Sequence, residues 1–190
     1  PFDHSATCRT PGVYRCSFVI VFYPPSFFVL KLDIFVSGAQ ADIKLDYPVK
    51  YKSRGLSFYF GKRGGVDLIK TFGKNSSIGV FNEIRKFPVD KYDLVINDFE
   101  PITAWACLHR QVPCVGLSHQ SALLSPFTPK PKSFDPLGDW IIRHYAPVSK
   151  YVGFHFAPFD HNIYTPVIRR RIREGTVTDK GHYTVYLPAY

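Results

Sequence analysis

The chain contains no methionine in its 190 residues. Pro1 is therefore not expected to be a natural start, and the sequence reads as a fragment or a processed chain. Cysteine is scarce: Cys8, Cys16, Cys107 and Cys114 form no C-x-x-C pair and no metal-like Cys/His spacing, so no structural metal is expected. Cys107 falls in a predicted helix and Cys114 opens a predicted strand, where a free thiol packs as a small hydrophobe. That usage suits a reducing, cytoplasmic setting. Long apolar runs are missing too. Phe18 to Leu30 spans thirteen residues broken by Pro24 and Pro25, whereas a membrane-crossing helix needs about 20. The same stretch has no basic leading region or small-residue cleavage site, so no secretory signal is expected. The Walker spacing, G-x-S-x-G and H-E-x-x-H are all absent, which removes the commonest nucleotide-hydrolysing, serine-hydrolase and zinc-peptidase signatures. There is no internal repeat.

What is present describes a globular domain with a basic surface. Hydrophobic residues make up 45% and charged residues 21%. A chain of this length buries about 70% of its unfolded surface and needs no cross-link to fold. The net charge is +9, much of it local: Lys44 to Lys91 holds 11 Lys/Arg against 4 Asp/Glu, a net of +7. Such a segment is either a solvated basic face or a surface for anionic lipid or anionic substrates. Nucleic acid is not expected, because the charges are spread among Tyr, Phe and Gly and no nucleic-acid motif accompanies them. Lys62 and Arg63 between glycines suggest a phosphate cradle but lack its spacing, and Arg169 to Arg171 form a second basic cluster.

From Leu32 onward the apolar pattern becomes regular. Leu32 to Ser37, closed by Gly38, reads as a buried strand. Weaker strands are expected at Val49–Lys52 and Leu56–Phe60. Apolar residues at 66, 69, 72, 80, 84 and 87 predict a helix over 66–87, with a weak middle around Asn75-Ser76-Ser77. Tyr92 to Asn97 reads as a strand, Pro101 opens a helix that ends before Pro113, and Cys114 to Leu117 is a second strand. Strand, helix, strand at this spacing means parallel pairing. A short helix at 137–145 and strands at 151–156, 165–168 and 182–187 complete the pattern, and Phe18 to Phe22 has the composition of a further strand. The fold class expected is α/β: a Rossmann-like parallel sheet with flanking helices.

Ligands of open α/β sheets bind outside the carboxyl ends of the parallel strands. That rule selects Ser37 and Gly38 after one strand, Asp98 and Glu100 after a second, and Ser118, His119, Gln120 and Ser121 after a third. The N–H groups that open the Pro101 helix favour an anion at the same edge. His119 can donate to a hydroxyl or a phosphate, and Asp98 and Glu100 can hold sugar hydroxyls or orient His119. Each has a plainer reading. Asp98 suits a helix N-cap or a residue near one, Glu100 suits a dipole partner, and His119 suits a satisfied structural histidine. His155 reads as a packed core residue, and His144 and His161 as loop residues.

Four segments together resemble bacterial GT-B glycosyltransferases of the family 1 or family 28-like group: Asp33 to Asp42, Tyr92 to Pro101, Gly116 to Ser121 and Gly181 to Tyr190. More distantly, the chain is similar to the peptidoglycan N-acetylglucosaminyltransferase. The resemblance covers about residues 31 to 190 and is most specific from Tyr92 to Ser121. It implies an acceptor-side Rossmann-like domain over 31–180, with 181–190 as the first strand of a donor-binding domain. It also implies hexosyl transfer from a nucleotide sugar, UDP-linked in the full-length family, to a hydroxyl acceptor such as a lipid, without a metal. Such an enzyme works in the cytoplasm, peripheral on the inner membrane face. Ser118 to Ser121 resembles the His-Glu-Gln-Asn stretch on the acceptor side of the peptidoglycan enzyme, with its second residue changed.

The departure lies at residues 1–30. The family opens with a strand and a Gly-Thr-Gly-x-Gly-His loop whose His is a candidate base, whereas this segment offers only Gly12 and His4. A reading-frame shift or a chimeric gene would produce that junction. Lacking the loop, the isolated chain is expected to be inactive, with Asp98 and His119 as the remaining catalytic candidates. Two other functions stay open: a nucleotide-sugar 2-epimerase-like enzyme, and a non-catalytic module that binds anionic lipid or glycan.

Overall fold

A computed structural model describes residues 17–22, 32–38, 47–56, 77–130, 135–181 and 183, the first of these segments through its backbone pairing alone. The described strands form one seven-stranded sheet. They are β1 (Ser17–Phe22), β2 (Leu32–Ser37), β3 (Val49–Ser53), β4 (Leu94–Asn97), β5 (Cys114–Ser118), β6 (Lys150–Phe154) and β7 (Ile163–Tyr164). Their spatial order is β3-β2-β1-β4-β5-β6-β7. The helices are α1 (Ser77–Lys86), α2 (Pro101–Arg110), α3 (Pro136–His144) and the single turn α4 (Arg170–Arg173). The fold is the expected α/β, Rossmann-like arrangement of parallel strands with flanking helices. The order also reverses at the β1/β4 boundary, as in doubly wound sheets.

One strand departs from the parallel plan. β1 runs antiparallel to both β2 and β4. Only nine residues, 23–31, separate β1 from β2, and a parallel return needs a crossover of about a dozen or more. The other six strands all point the same way, because β2 pairs parallel with β3 and β4 to β7 pair parallel in sequence. Their carboxyl ends therefore meet at one edge.

The apolar run of β2 is buried as expected, with Phe35 and Val36 each 2% exposed. Phe35 packs edge-on against Phe87 at 4.8 Å between ring centroids. Val95, Ile102, Ala106, Cys107 and Cys114 continue that core between α2 and the sheet. Cys107 and Cys114 are free, buried thiols, as the sequence suggested. Contact with Cys114, followed by burial, pushes the Cys107 thiol far above its ordinary range. Arg110 closes the end of α2 onto α1, donating to the carbonyls of Phe87 at 3.0 Å and Ile84 at 3.4 Å.

Several boundaries moved for local reasons. Tyr92 and Asp93 precede β4 instead of joining it. The Tyr92 N–H closes a short 3-10 turn on the Val89 carbonyl at 3.0 Å, and its hydroxyl donates to Asp33 Oδ2 at 3.0 Å. The strand expected at 165–168 is absent. Pairing ends with Tyr164, and Pro166 lacks the N–H that a continuing ladder requires. The strand expected at 56–60 except Leu56, that at 182–187 except Tyr183, the first half of the 66–87 helix, and Lys62 and Arg63 lie outside the described residues.

β6 has no room for a side chain at Gly153. A Cβ there would lie 2.5 Å from Ala122 Cα and 2.6 Å from Ala122 N, so strand and neighbouring turn touch backbone to backbone. Gly153→Ala should lower stability by about 2 kcal/mol or more, read as a shift of the urea midpoint. An unchanged midpoint would show that the Ala122 turn does not pack on β6 in this way.

Candidate functional site

The site starts with two residues that carry the chain out of β4 and into α2. Asn97 is fully buried at the strand end. Its Oδ1 accepts the Glu100 N–H at 2.8 Å, while its Nδ2 donates to the Glu100 carbonyl at 2.7 Å and to Thr103 Oγ1 at 2.9 Å. Both halves of one amide thus bind the turn to the helix start. Glu100 is the N-cap of α2: Oε1 accepts from Ile102 N at 2.8 Å, and Oε2 accepts from Thr103 N at 2.8 Å and Thr103 Oγ1 at 2.7 Å. This satisfies two helix N–H groups that have no partner within the helix.

One expectation is sharpened here and one corrected. Asp98 was expected to be a helix N-cap or a residue near one; the cap is Glu100, two positions nearer the helix, and Asp98 stays half-buried in the turn before it. Glu100 was expected to meet a ligand, but it is 0% exposed with its carboxyl committed to the helix. Burial raises its pKa, outweighing the donors from Thr103, Ile102 and Ser37 that act the other way. Ser37, only 5% exposed, is spent on that carboxyl and not on the surface.

The turn between Asn97 and Glu100 places Phe99 at φ +52°, in the left-handed region. A bulky side chain is uncommon there, and such strain concentrates where the surroundings force it. The Phe99 ring lies 4.9 Å from that of Tyr145, just past α3.

The second strand end is built differently. After β5, residues 120–124 coil into a 3-10 turn. Ser118 Oγ accepts the Ser121 N–H at 3.0 Å, and the two hydroxyls lie 2.8 Å apart. Both serines are buried, so they fasten the turn instead of offering hydroxyls to solvent. Gly116 lets this turn close, since a Cβ there would stand 2.9 Å from Ser121 Oγ. The consequence is that His119 projects as an exposed side chain, while Gln120 is half-buried. A small cleft opens between the two strand ends, lined by Asn97, Phe99, Gly116, Gln120, Ser121 and Ile142 among others.

The sheet edge therefore gathers all three predicted groups. Of the predicted residues, His119, Gln120, Asp98 and Gly38 keep surface there, whereas Ser37, Glu100, Ser118 and Ser121 form the framework beneath. Gly38 sits at φ +144° and donates its N–H to the Ser53 carbonyl at 3.1 Å, tying the end of β2 to β3.

Sequence reasoning missed Asn97, Phe99 and His155. A polar residue that ends an apolar strand three positions before a Glu-Pro helix start was the available signal for Asn97. His155 was read as core, yet it stands just beyond β6, half-buried, with its ring stacked on His119 at 5.6 Å and 17°. No family model, curated protein or solved structure matches this chain. Among the described residues, no group of three or more His, Cys, Asp or Glu is placed to hold a metal ion.

The raised Glu100 pKa has a definite sign. A carboxyl that holds its proton more tightly in the folded state stabilises the fold fully below its unfolded pKa. That contribution is lost as pH rises through the folded value. Glu100→Ala should cost about 1–3 kcal/mol through the lost cap and the stranded N–H groups. The gap between wild type and variant in urea unfolding should narrow from pH 5 to pH 8. A gap that widens over that range would mean the cap is ionised and its pKa lowered.

Proposed function

We propose that this chain is the acceptor-side domain of a glycosyltransferase that moves a hexosyl group from a nucleotide sugar to a hydroxyl acceptor. The observation that carries the reading is the cleft at the carboxyl edge of the co-directional strands. There the Asn97–Glu100 turn faces the Ser118–Ser121 turn, Gln120 lines the opening, and His119 is exposed beside it. Such an edge is where ligands of α/β sheets bind. The exposed groups are hydrogen-bonding and largely uncharged, as a polyhydroxyl ligand requires. Of the four segments that resemble GT-B enzymes, Tyr92 to Pro101 and Gly116 to Ser121 both line the cleft, together with Leu124, Ile142, Ala146 and Val148.

In the proposed reaction the acceptor hydroxyl attacks the anomeric carbon. The bond to the nucleoside diphosphate breaks as the new glycosidic bond forms, and the hydroxyl proton passes to a base. His119 serves this domain as an acceptor contact, holding the hydroxyl by its imidazole, and Asp98 is the other group that can take the proton. The donor nucleotide is not bound here, because neither strand-end turn bordering the cleft, 97–100 or 118–121, contains a Lys or Arg to meet its phosphates. The basic edge made by Lys50, Lys52 and Arg54 on and beside β3 lies on the far side of β2. It suits attachment to an anionic membrane that carries a lipid-linked acceptor. Among the described residues no helix is long and apolar enough to cross a membrane.

Equilibrium dialysis separates this from the epimerase reading. The protein should bind octyl β-D-glucopyranoside, kept below its micelle concentration, and show no binding of UDP-glucose at equal concentration. Tight UDP-glucose binding without glucoside binding would favour the epimerase reading and overturn the proposal.

A further inference from the structure

Four rings meet just beyond the ends of β5 and β6. His119 follows β5 directly and His155 follows β6 directly, and the register that sets Ser118 opposite Gly153 brings the two together. Their imidazoles stack at 5.6 Å and 17°. Phe156 stands edge-on to both, at 5.7 Å and 82° from His155 and 6.4 Å and 69° from His119. Phe159 supports His155 from another side at 4.9 Å and 75°. Phe156 itself is 84% exposed. The His155 Nδ1 is buried and makes no hydrogen bond among the described residues, so this ring meets its neighbours through its face.

A single exposed phenyl is ordinary on a protein surface. This one continues a stacked pair of rings at the same sheet edge as the cleft, and Gln120 beside His119 lines that cleft. The charge around it narrows the ligand. Residues 118–125 contain no Asp, Glu, Lys or Arg, and residues 154–164 contain no Lys or Arg. Their one carboxylate, Asp160, is occupied by Ser125 Oγ at 2.7 Å and by His161 Nδ1 at 2.7 Å. Neither segment offers a phosphate-bearing ligand a Lys or Arg. A neutral ring whose C–H bonds carry slight positive charge on one face, with hydroxyls around its rim, matches the negative faces of the rings and the polar groups beside them.

We propose that His119, His155 and Phe156 form a stacking platform for the uncharged pyranose ring of a saccharide acceptor, held beside the cleft by Gln120. This rests on the acceptor reading above and adds to it: the acceptor presents a sugar ring, not a bare alcohol or an aromatic hydroxyl.

The test uses the protein labelled with carbon-13 in its His and Phe rings, titrated separately with methyl β-D-glucopyranoside and with phenol. The glucoside should move the ring signals of His119, His155 and Phe156. Phe156→Ala and Phe156→Leu should each weaken that binding roughly three- to tenfold while the melting temperature stays unchanged. Phe156→Leu keeps the apolar bulk and removes only the ring. Equal binding in the leucine variant overturns stacking. Shifts with phenol but not with the glucoside overturn the sugar. If these signals stay still while octyl glucoside binds in dialysis, the platform is wrong and the acceptor reading stands. Absence of any glucoside binding overturns both.

Discussion

The carboxyl of Glu100 holds two structures together. It caps the helix N-terminus that every strand-to-helix junction creates, and it does so in full burial, with Asn97 holding the Glu100 backbone from the strand side and Ser37 of β2 bonded to the carboxyl itself. A buried carboxyl costs free energy unless its oxygens are matched by donors. Here the donors come from α2 itself, so the cost is offset only when helix, turn and strand are all in place. The turn geometry then has little freedom, and Phe99 accepts a left-handed backbone in consequence. The position of the cleft follows from that constraint, since the Asn97–Glu100 turn forms one wall.

The opposite wall obeys the same logic with weaker groups. Ser118 and Ser121 bind each other and the turn backbone, Gly116 leaves room beneath them, and Gly153 lets the turn lie against β6. Two polar clasps, one carboxyl-based and one hydroxyl-based, thus hold two neighbouring strand ends at a fixed separation. The groups that keep surface there are the Asp98 carboxyl, an imidazole, an amide and a phenyl. Much of the hydrogen-bonding capacity of this edge is spent inward on structure, and its outward face is ring-rich, with no Lys or Arg in either turn. That division is the physical reason for reading it as a site for a polyhydroxyl ligand and not for an anionic one.

The apolar runs of β2, β4 and β5 and the Pro101 start of α2 were legible because each rests on local pattern: a short buried run closed by Gly, or a proline where the helix has no N–H to lose. The gathering of Gly38, Asp98 and His119 at one edge was legible for a related reason, because parallel pairing sends all carboxyl ends the same way. What the pattern did not carry was the assignment of roles within the edge. Glu100 and Asp98 are both acidic and both near a helix start, and only the turn geometry decides which one caps. The His119–His155 pair depends on the register between β5 and β6, which no local period encodes. The antiparallel course of β1 follows from the short 23–31 connection and not from its composition.

The most direct measurement is amide hydrogen exchange on the whole chain, with and without octyl β-D-glucopyranoside. A ligand edge built by these two clasps predicts that added protection falls in residues 97–104, 118–125 and 153–156, with 49–56 unchanged. Protection confined to 49–56, on and beside the basic strand β3, would place the ligand on the other side of the sheet and contradict the account.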